Sequence, residues 1–159
     1  MTMAARVGKS GAGAVAGRVL ARTSAGYSGT PLAKKLGVKD GQRTWRSKVP
    51  VSVAEEIASF GVSPELLKTP RAGLEMAHVF VTKKVELVGH LERLRDLLAP
   101  DGTIWVSWPK KASGVTTDVT EDTVREVCLP LGLVDIKVCA VDAVWSGLKL
   151  VIRKSERGK

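Results

Sequence analysis

The spacing of hydrophobic positions changes along the chain, and this change predicts alternating strands and helices. Two short apolar runs, at 78–82 and 103–108, have the length and composition of buried strands. Between them, leucines recur every three or four residues over 83–98, which predicts an amphipathic helix. Asp118 and Glu121 then form a D-x-x-E pattern typical of a helix start. Strand, helix, strand and helix in this order predict a parallel sheet covered by helices.

The C-terminal pattern differs from this alternation. Residues 133–141 and 145–153 read as two strands joined by a tight turn. Because strands joined so closely pair in opposite directions, an antiparallel hairpin is expected there. The sequence therefore predicts a small three-layer, Rossmann-like α/β domain whose sheet is mostly parallel and ends in this hairpin.

The N-terminal half is less regular. Thr30 and Pro31 are expected to start a short helix, LAKKLG, and Ser52 is expected to cap a second helix, SVAEEIASF. Residues 42–49 favour a strand, although three cations make a central position in the sheet unfavourable. Residues 61–76 contain two prolines and little periodicity, so no element is predicted for them.

Charge divides the 159-residue chain into two parts. The net charge is +9, and residues 1–50 carry all of it, whereas residues 51–159 are neutral. Residues 1–26 contain no acidic side chain and few large apolar ones, which predicts a disordered basic tail. An organellar targeting segment and a nucleic-acid-binding segment remain alternatives for this tail. The domain is expected over 27–154, followed by a short tail at 155–159.

Cysteine and histidine content limits the chemistry. Cys128 and Cys139 lie among apolar neighbours, and with His78 and His90 they form no metal-ligand spacing. We therefore expect no bound metal and two reduced core thiols in a reducing compartment. No apolar run approaches the roughly 18 residues of a membrane-spanning helix, so no membrane partner is expected either.

Residues 94–108, LRDLLAPDGTIWVSW, resemble class I methyltransferases, in which a helix ends at a Leu-Leu-x-Pro-Gly-Gly-type turn and leads into a central strand. The resemblance implies a trimmed methyltransferase fold. Those enzymes follow their first strand with a glycine-rich turn that lets backbone approach the cofactor, S-adenosylmethionine. Here residues 46–50 read Arg-Ser-Lys-Val-Pro, so no cofactor is expected, and a divergent methyltransferase is the alternative.

A second resemblance covers more of the chain. Residues 27–41, 105–114 and 118–153 are similar to a bacterial family of uncharacterised proteins, domain of unknown function 3052. The resemblance implies a bacterial, cytoplasmic protein and carries no established activity.

The candidate binding loop follows the predicted strand at 103–108. In open α/β sheets, ligands bind outside the carboxyl ends of parallel strands, so a central position for this strand would place residues 108–117 at that edge. These residues combine an aromatic ring, two ammonium groups, hydroxyl donors and a flexible glycine: Trp108, Lys110, Lys111, Ser113, Gly114, Thr116 and Thr117.

This set of groups favours a non-enzymatic binding or regulatory domain that holds an anionic ligand or partner. The expected partner is an anionic small molecule or a nucleic acid. Two simpler interpretations stay open: Lys110 and Lys111 keep an exposed loop soluble, and Trp108 covers the core. Binding of nucleic acid through the basic N-terminal segment is the third candidate function.

Overall fold

The computed structural model describes residues 29–157, which form one six-stranded sheet and the helices that cover it. The strands are β1 (Arg43–Ser47), β2 (Glu65–Leu66), β3 (Leu74–Phe80), β4 (Leu98–Pro109), β5 (Leu133–Ala140) and β6 (Trp145–Ile152). The α-helices of the described residues are α1 (Leu32–Leu36), α2 (Val51–Ser59), α3 (Lys84–Leu97) and α4 (Glu121–Cys128).

The sheet has the order β2-β1-β3-β4-β6-β5. Strands β1, β2, β3 and β4 pair in parallel, whereas β6 pairs antiparallel with both β4 and β5. The predicted class, a mostly parallel α/β sheet with a C-terminal antiparallel hairpin, is confirmed.

Helices cover both faces of the sheet and give the molecule two separate cores. On one face, α1 and α2 bury apolar side chains against β3 and β4, among them Leu36, Ile57, Met76, Phe80 and Trp105. On the other face, α3 and α4 pack on the same two strands and on the hairpin, through Leu87, Leu91, Leu94, Val124, Ile104, Val106 and Leu148. The three layers follow from alternation along β4, because neighbouring residues of a strand point to opposite faces.

Strand β4 lies in the middle of the sheet, as the apolar pattern predicted. Trp105 is fully buried, and its indole Nε1 donates a hydrogen bond of 2.8 Å to the backbone carbonyl of Leu36 at the end of α1. The strand is also longer than expected, since pairing with β3 already begins at Leu98. The carboxyl end of β4 therefore lies at an edge formed by several parallel strands.

The unassigned residues 61–76 hold the short strand β2 and the start of β3. Strand β1, despite its cations, lies inside the sheet between them. This position is tolerated because β2 pairs with β1 over only two residues, which leaves Arg43 and Arg46 partly exposed.

The predicted helix starts are wrong by one or two residues. Pro31 precedes α1 and Pro50 precedes α2, so neither Thr30 nor Ser52 caps its helix. Both prolines hold an extended backbone just before the first helical turn. Helix α4 starts after Thr120, whose hydroxyl accepts a hydrogen bond from the backbone N–H of Thr123, and Asp118 does not cap it.

None of the described helices is long and apolar enough to cross a membrane. The tail predicted at 1–26 and the domain start at 27 lie outside the described residues. At the other end, the backbone forms a 3₁₀ turn over Lys154–Glu156, where the predicted C-terminal tail begins.

Candidate functional site

The chain leaves β1 and β3 towards opposite faces of the sheet. After β1 it enters α2, which packs on the face that carries α1, and after β3 it enters α3 on the other face. Such a divergence between neighbouring parallel strands is where ligands bind in open α/β sheets. We call this place the switch-point crevice, bounded by residues 47–50 at the end of β1 and by residues 81–86, which follow β3 and begin α3.

The backbone of Lys48 is strained. Its φ is 57°, and within the described part of the chain it is the only residue other than glycine with a positive φ. Side chains disfavour this left-handed conformation, which persists where the surrounding structure imposes it. The strained residue therefore lies directly at the switch-point crevice.

An ion pair spans the crevice. The Lys48 ammonium lies 2.8 Å from Oε2 of Glu86, and Oε1 of Glu86 accepts the backbone N–H groups of Thr82 and Lys83 at 3.1 and 3.2 Å. The hydrogen bond from Lys48 and then the backbone N–H of Thr82 lower the pKa of Glu86 to about 2. Glu86 is therefore ionised at neutral pH, and it already accepts hydrogen bonds from two backbone N–H groups just before α3.

The loop after β4 is tied to the same crevice. The Thr117 hydroxyl donates to the Thr82 carbonyl at 2.7 Å, and the Asp118 backbone N–H donates to the same oxygen at 3.2 Å. The Asp118 carboxylate in turn accepts the backbone N–H of Lys84 at 2.7 Å. A small hollow of about 260 Å³ lies between Thr116, Thr117, Asp118 and the Thr82–Lys83 backbone.

Two of the seven candidate residues, Thr116 and Thr117, thus line one hollow. Trp108 instead is 7% exposed and packs into the core under α3 and α4, which matches the alternative in which it covers the core. The Ser113 hydroxyl donates to the carbonyl of Lys110 at 2.6 Å, so this donor is used inside the loop.

The remaining candidates shape the same loop. Lys111 is exposed in a 3₁₀ turn that ends at Gly114, whose φ of 77° suits glycine. The backbone N–H of Lys110 donates to the Val144 carbonyl at 2.7 Å, which ties the loop to the hairpin. Ligand binding by the seven residues remains a prediction.

A buried polar pair lies on the α1/α2 face of the sheet. His78 on β3 is 1% exposed, and its Nε2 lies 2.7 Å from the hydroxyl of Ser107 on β4. The ring stacks on Phe80 at a centroid distance of 4.3 Å. Burial, and next the positive charge of Arg46, lower the pKa of His78 to about 3, so the imidazole is neutral. This pair stabilises the sheet from within, and sequence spacing alone does not reveal it because its partners lie 29 residues apart.

Three solved structures show what the fold is similar to. A SAM-dependent methyltransferase from Aquifex aeolicus aligns over 76% of this chain and 87% of its own, with a TM-score of 0.54 and 16% identity. A methyltransferase from Pyrococcus furiosus aligns over 77% of this chain and 80% of its own, with a TM-score of 0.51 and 12% identity. A possible exported protein from Bordetella parapertussis aligns over 77% of this chain and 66% of its own, with a TM-score of 0.52 and 8% identity.

These likenesses confirm the Rossmann-like fold of class I methyltransferases, which residues 94–108 had indicated. No protein-family model and no curated protein matches the chain. The similarity to domain of unknown function 3052 and a bacterial origin therefore stay predictions.

The expected partner, an anionic small molecule or a nucleic acid, is wrong. One of the proteins with a similar fold is a methyltransferase that depends on S-adenosylmethionine. This small molecule carries a sulfonium cation and is not an anion. The structure offers a physical reason: Glu86 and Asp118 already neutralise the start of α3, where an anion would otherwise bind. Within residues 29–157, no group of three or more His, Cys, Asp or Glu is placed to hold a metal ion.

Proposed function

We propose that this chain is a divergent methyltransferase-like protein that binds S-adenosylmethionine in the switch-point crevice. The strained backbone of Lys48 carries the proposal, because strain in an otherwise regular fold concentrates at functional sites. Its place at the carboxyl end of β1, beside β3, is where this class of sheet takes its ligands. The fold similarity supports an enzyme-like protein over a non-enzymatic binding domain.

The residues around the crevice suit a cationic, hydroxyl-rich molecule. The ionised carboxylate of Glu86 can attract the sulfonium group of the cofactor, and the Ser47 side chain offers a hydroxyl. A tight turn at this position normally uses a glycine-rich loop. Here Lys48 makes the turn by adopting the left-handed conformation. When bound, the cofactor would supply an electrophilic methyl group, while these residues would hold and orient it.

Lys48 competes with such a ligand for Glu86. Its side chain is 69% exposed, so the ion pair is well solvated and is worth no more than about 1 kcal/mol. The lysine can therefore leave the carboxylate at low cost when a cation arrives. The crevice is closed by a contact that a ligand can displace.

Calorimetric titration of the protein with S-adenosylmethionine and S-adenosylhomocysteine tests the proposal. Glu86→Gln keeps a hydrogen-bond acceptor at the start of α3 but removes the negative charge. It should weaken binding of S-adenosylmethionine by about tenfold or more, and binding of S-adenosylhomocysteine, whose sulfur carries no charge, much less. Glu92→Gln, on the exposed side of α3, is the matched control and should change neither affinity.

Two results would overturn the proposal. One is the absence of binding of both compounds to the folded wild-type protein. The other is equal affinity of wild type and Glu86→Gln for S-adenosylmethionine.

A further inference from the structure

A second pocket lies at the opposite end of the sheet. Its volume is about 420 Å³, and it opens between the loop that follows α1 and the amino ends of β1, β3 and β4. Its polar lining includes Lys39, Gln42, Glu75, Asp101, Thr103 and Lys149. None of these residues belongs to the switch-point crevice, so this pocket is independent of the proposed cofactor site.

One wall of the pocket carries an unpaired amine. Lys149 lies on β6 next to Trp105 and is half-buried. Within the described residues, its ammonium has no hydrogen bond and no ion pair, and the charges that act on its pKa, those of Lys137 and Lys39, are also positive. Burial first, and then these two lysines, lower the pKa of Lys149. A partly desolvated cation without a counter-charge favours a ligand that supplies one.

Another wall carries an unpaired carboxylate. Among residues 29–157, no donor bonds the side chain of Asp101 and no cation lies within 4.0 Å of it. Its backbone position is fixed by Gly102, which packs so closely that an added Cβ would lie 2.7 Å from Leu98 Cδ1 and 3.0 Å from the Leu74 carbonyl oxygen. The backbone beside Asp101 is therefore closely packed, and the exposed carboxylate lines the pocket without a partner in the described residues.

The other charged side chains of the pocket are largely used within the fold. Glu75 accepts the backbone N–H of Arg43 at 2.8 Å, and its second oxygen lies 3.8 Å from the Arg43 guanidinium. Asp40 accepts the backbone N–H of Ser63 at 2.7 Å. What remains is one positive wall, Lys149 with Lys39 nearby, and one negative wall at Asp101, too far apart to form an ion pair.

We infer that this pocket binds a small zwitterion of the amino-acid class, with its carboxylate against Lys149 and its ammonium against Asp101. A molecule with both charges can satisfy both walls at once, whereas a simple anion or cation leaves one wall uncompensated. The distance between the two charges of the ligand sets how well it spans the pocket.

Titration of the ¹⁵N-labelled protein with glycine, β-alanine, γ-aminobutyrate and 6-aminohexanoate tests this inference. The series keeps both charges and lengthens only the chain between them. One member should shift the backbone amide signals of Gly37, Gly41 and Thr103 in a saturable way. Propionate and propylamine, which carry one charge each, should bind at least about tenfold more weakly.

Charge-removing variants identify the walls. Lys149→Met and Asp101→Asn should each weaken binding of the best probe by about tenfold or more. Lys154→Met and Asp96→Asn, exposed substitutions outside the pocket, are the matched controls and should leave it unchanged. Because Asp101 is exposed, Asp101→Asn should fold normally. This variant therefore tests the inference even if Lys149→Met impairs folding.

Three outcomes would overturn the inference: no probe shifts these amides, the shifts persist unchanged in Asp101→Asn, or single-charge probes bind as well as zwitterions. Failure of S-adenosylmethionine to bind the switch-point crevice would leave the inference intact, because the two sites share no residue.

Discussion

The two ends of the parallel strands are built differently. At the carboxyl end, the polar groups are bonded within the fold. The ammonium groups of Lys48 and Lys84 pair with Glu86 and Glu126. The Lys84 backbone N–H donates to Asp118, and the Thr117 hydroxyl donates to the Thr82 carbonyl. At the amino end, Lys149 and Asp101 line one pocket without a partner in the described chain. A ligand at the carboxyl end must displace internal contacts, whereas a ligand at the amino end would supply missing ones.

The largest expected effect concerns the buried pair that joins β3 to β4 between these two ends. Unfolding restores a His78 pKa of about 6.5, against about 3 in the folded protein. The stability due to the neutral imidazole is therefore fully present above pH 6.5 and is lost as the pH falls towards 3. This loss should reach up to about 4 kcal/mol in the free energy of unfolding.

Urea unfolding at several pH values measures this loss. His78→Gln can still hydrogen-bond Ser107 but does not titrate, so its stability should vary much less between pH 6.5 and pH 4. An equally steep pH dependence in wild type and variant would mean that other groups are responsible.

Close packing at the amino end gives the next largest effect. Gly102→Ala would place a methyl group against Leu98 and the Leu74 carbonyl, and should lower the free energy of unfolding by about 1–3 kcal/mol. Gly89→Ala on α3 is the control, since an added Cβ there has no neighbour within 4 Å. It should raise stability by about 0.5–1 kcal/mol. Equal effects of the two substitutions in urea unfolding would show that the amino end is not tightly packed.

The polar contacts of the carboxyl end should contribute less. Asp118→Ala removes the acceptor for the Lys84 backbone N–H and should cost about 1 kcal/mol, as the loss of a helix cap does. Asp122→Ala, whose side chain is 95% exposed beside Arg125, should cost about 0.5 kcal/mol or less. If both variants unfold at the same urea concentration, Asp118 does not hold the loop to α3.

The smallest expected effect concerns the competition between Lys48 and a cationic ligand for Glu86. Lys48→Met removes the competitor of a cationic ligand for Glu86, so S-adenosylmethionine should bind up to about fivefold more tightly. Stability should change by less than about 1 kcal/mol, because the lost ion pair is exposed. Lys154→Met is the control in the same calorimetric titration. Weaker binding by Lys48→Met would show that the lysine holds the ligand instead of blocking it.

Local periodicity predicted the parts of the fold in which neighbouring residues decide the structure. The leucine spacing of α3, the apolar run of β4 and the C-terminal hairpin all follow from residues close in sequence. Residues 61–76 could not be placed, because β2 is only two residues long and exists through its pairing with β1. The predicted start of α4 failed for a related reason, because Asp118 binds the start of α3, 34 residues earlier.

The position of the loop at 108–117 was predicted from the sequence, but its contacts were not. The apolar run of β4 correctly indicated a central strand that carries residues 108–117 to the carboxyl end of the sheet. The Ser113 and Thr117 hydroxyls donate to backbone carbonyls of the chain itself. These hydrogen bonds depend on how the loop folds, so the composition of the loop does not predict them. In the sequence, the Arg-Ser-Lys-Val-Pro segment indicates only that a glycine-rich loop is missing, whereas the strain at Lys48 is visible only in the backbone angles.

The most direct test of the proposed function is a titration of the ¹⁵N-labelled protein with S-adenosylmethionine, observed at the backbone amides. We predict saturable shifts at Ser47, Lys48 and Val49 and at residues 82–86. No saturable shift at residues 47–49 and 82–86, or shifts confined to the amino-end pocket, would contradict the assignment of the switch-point crevice as the cofactor site.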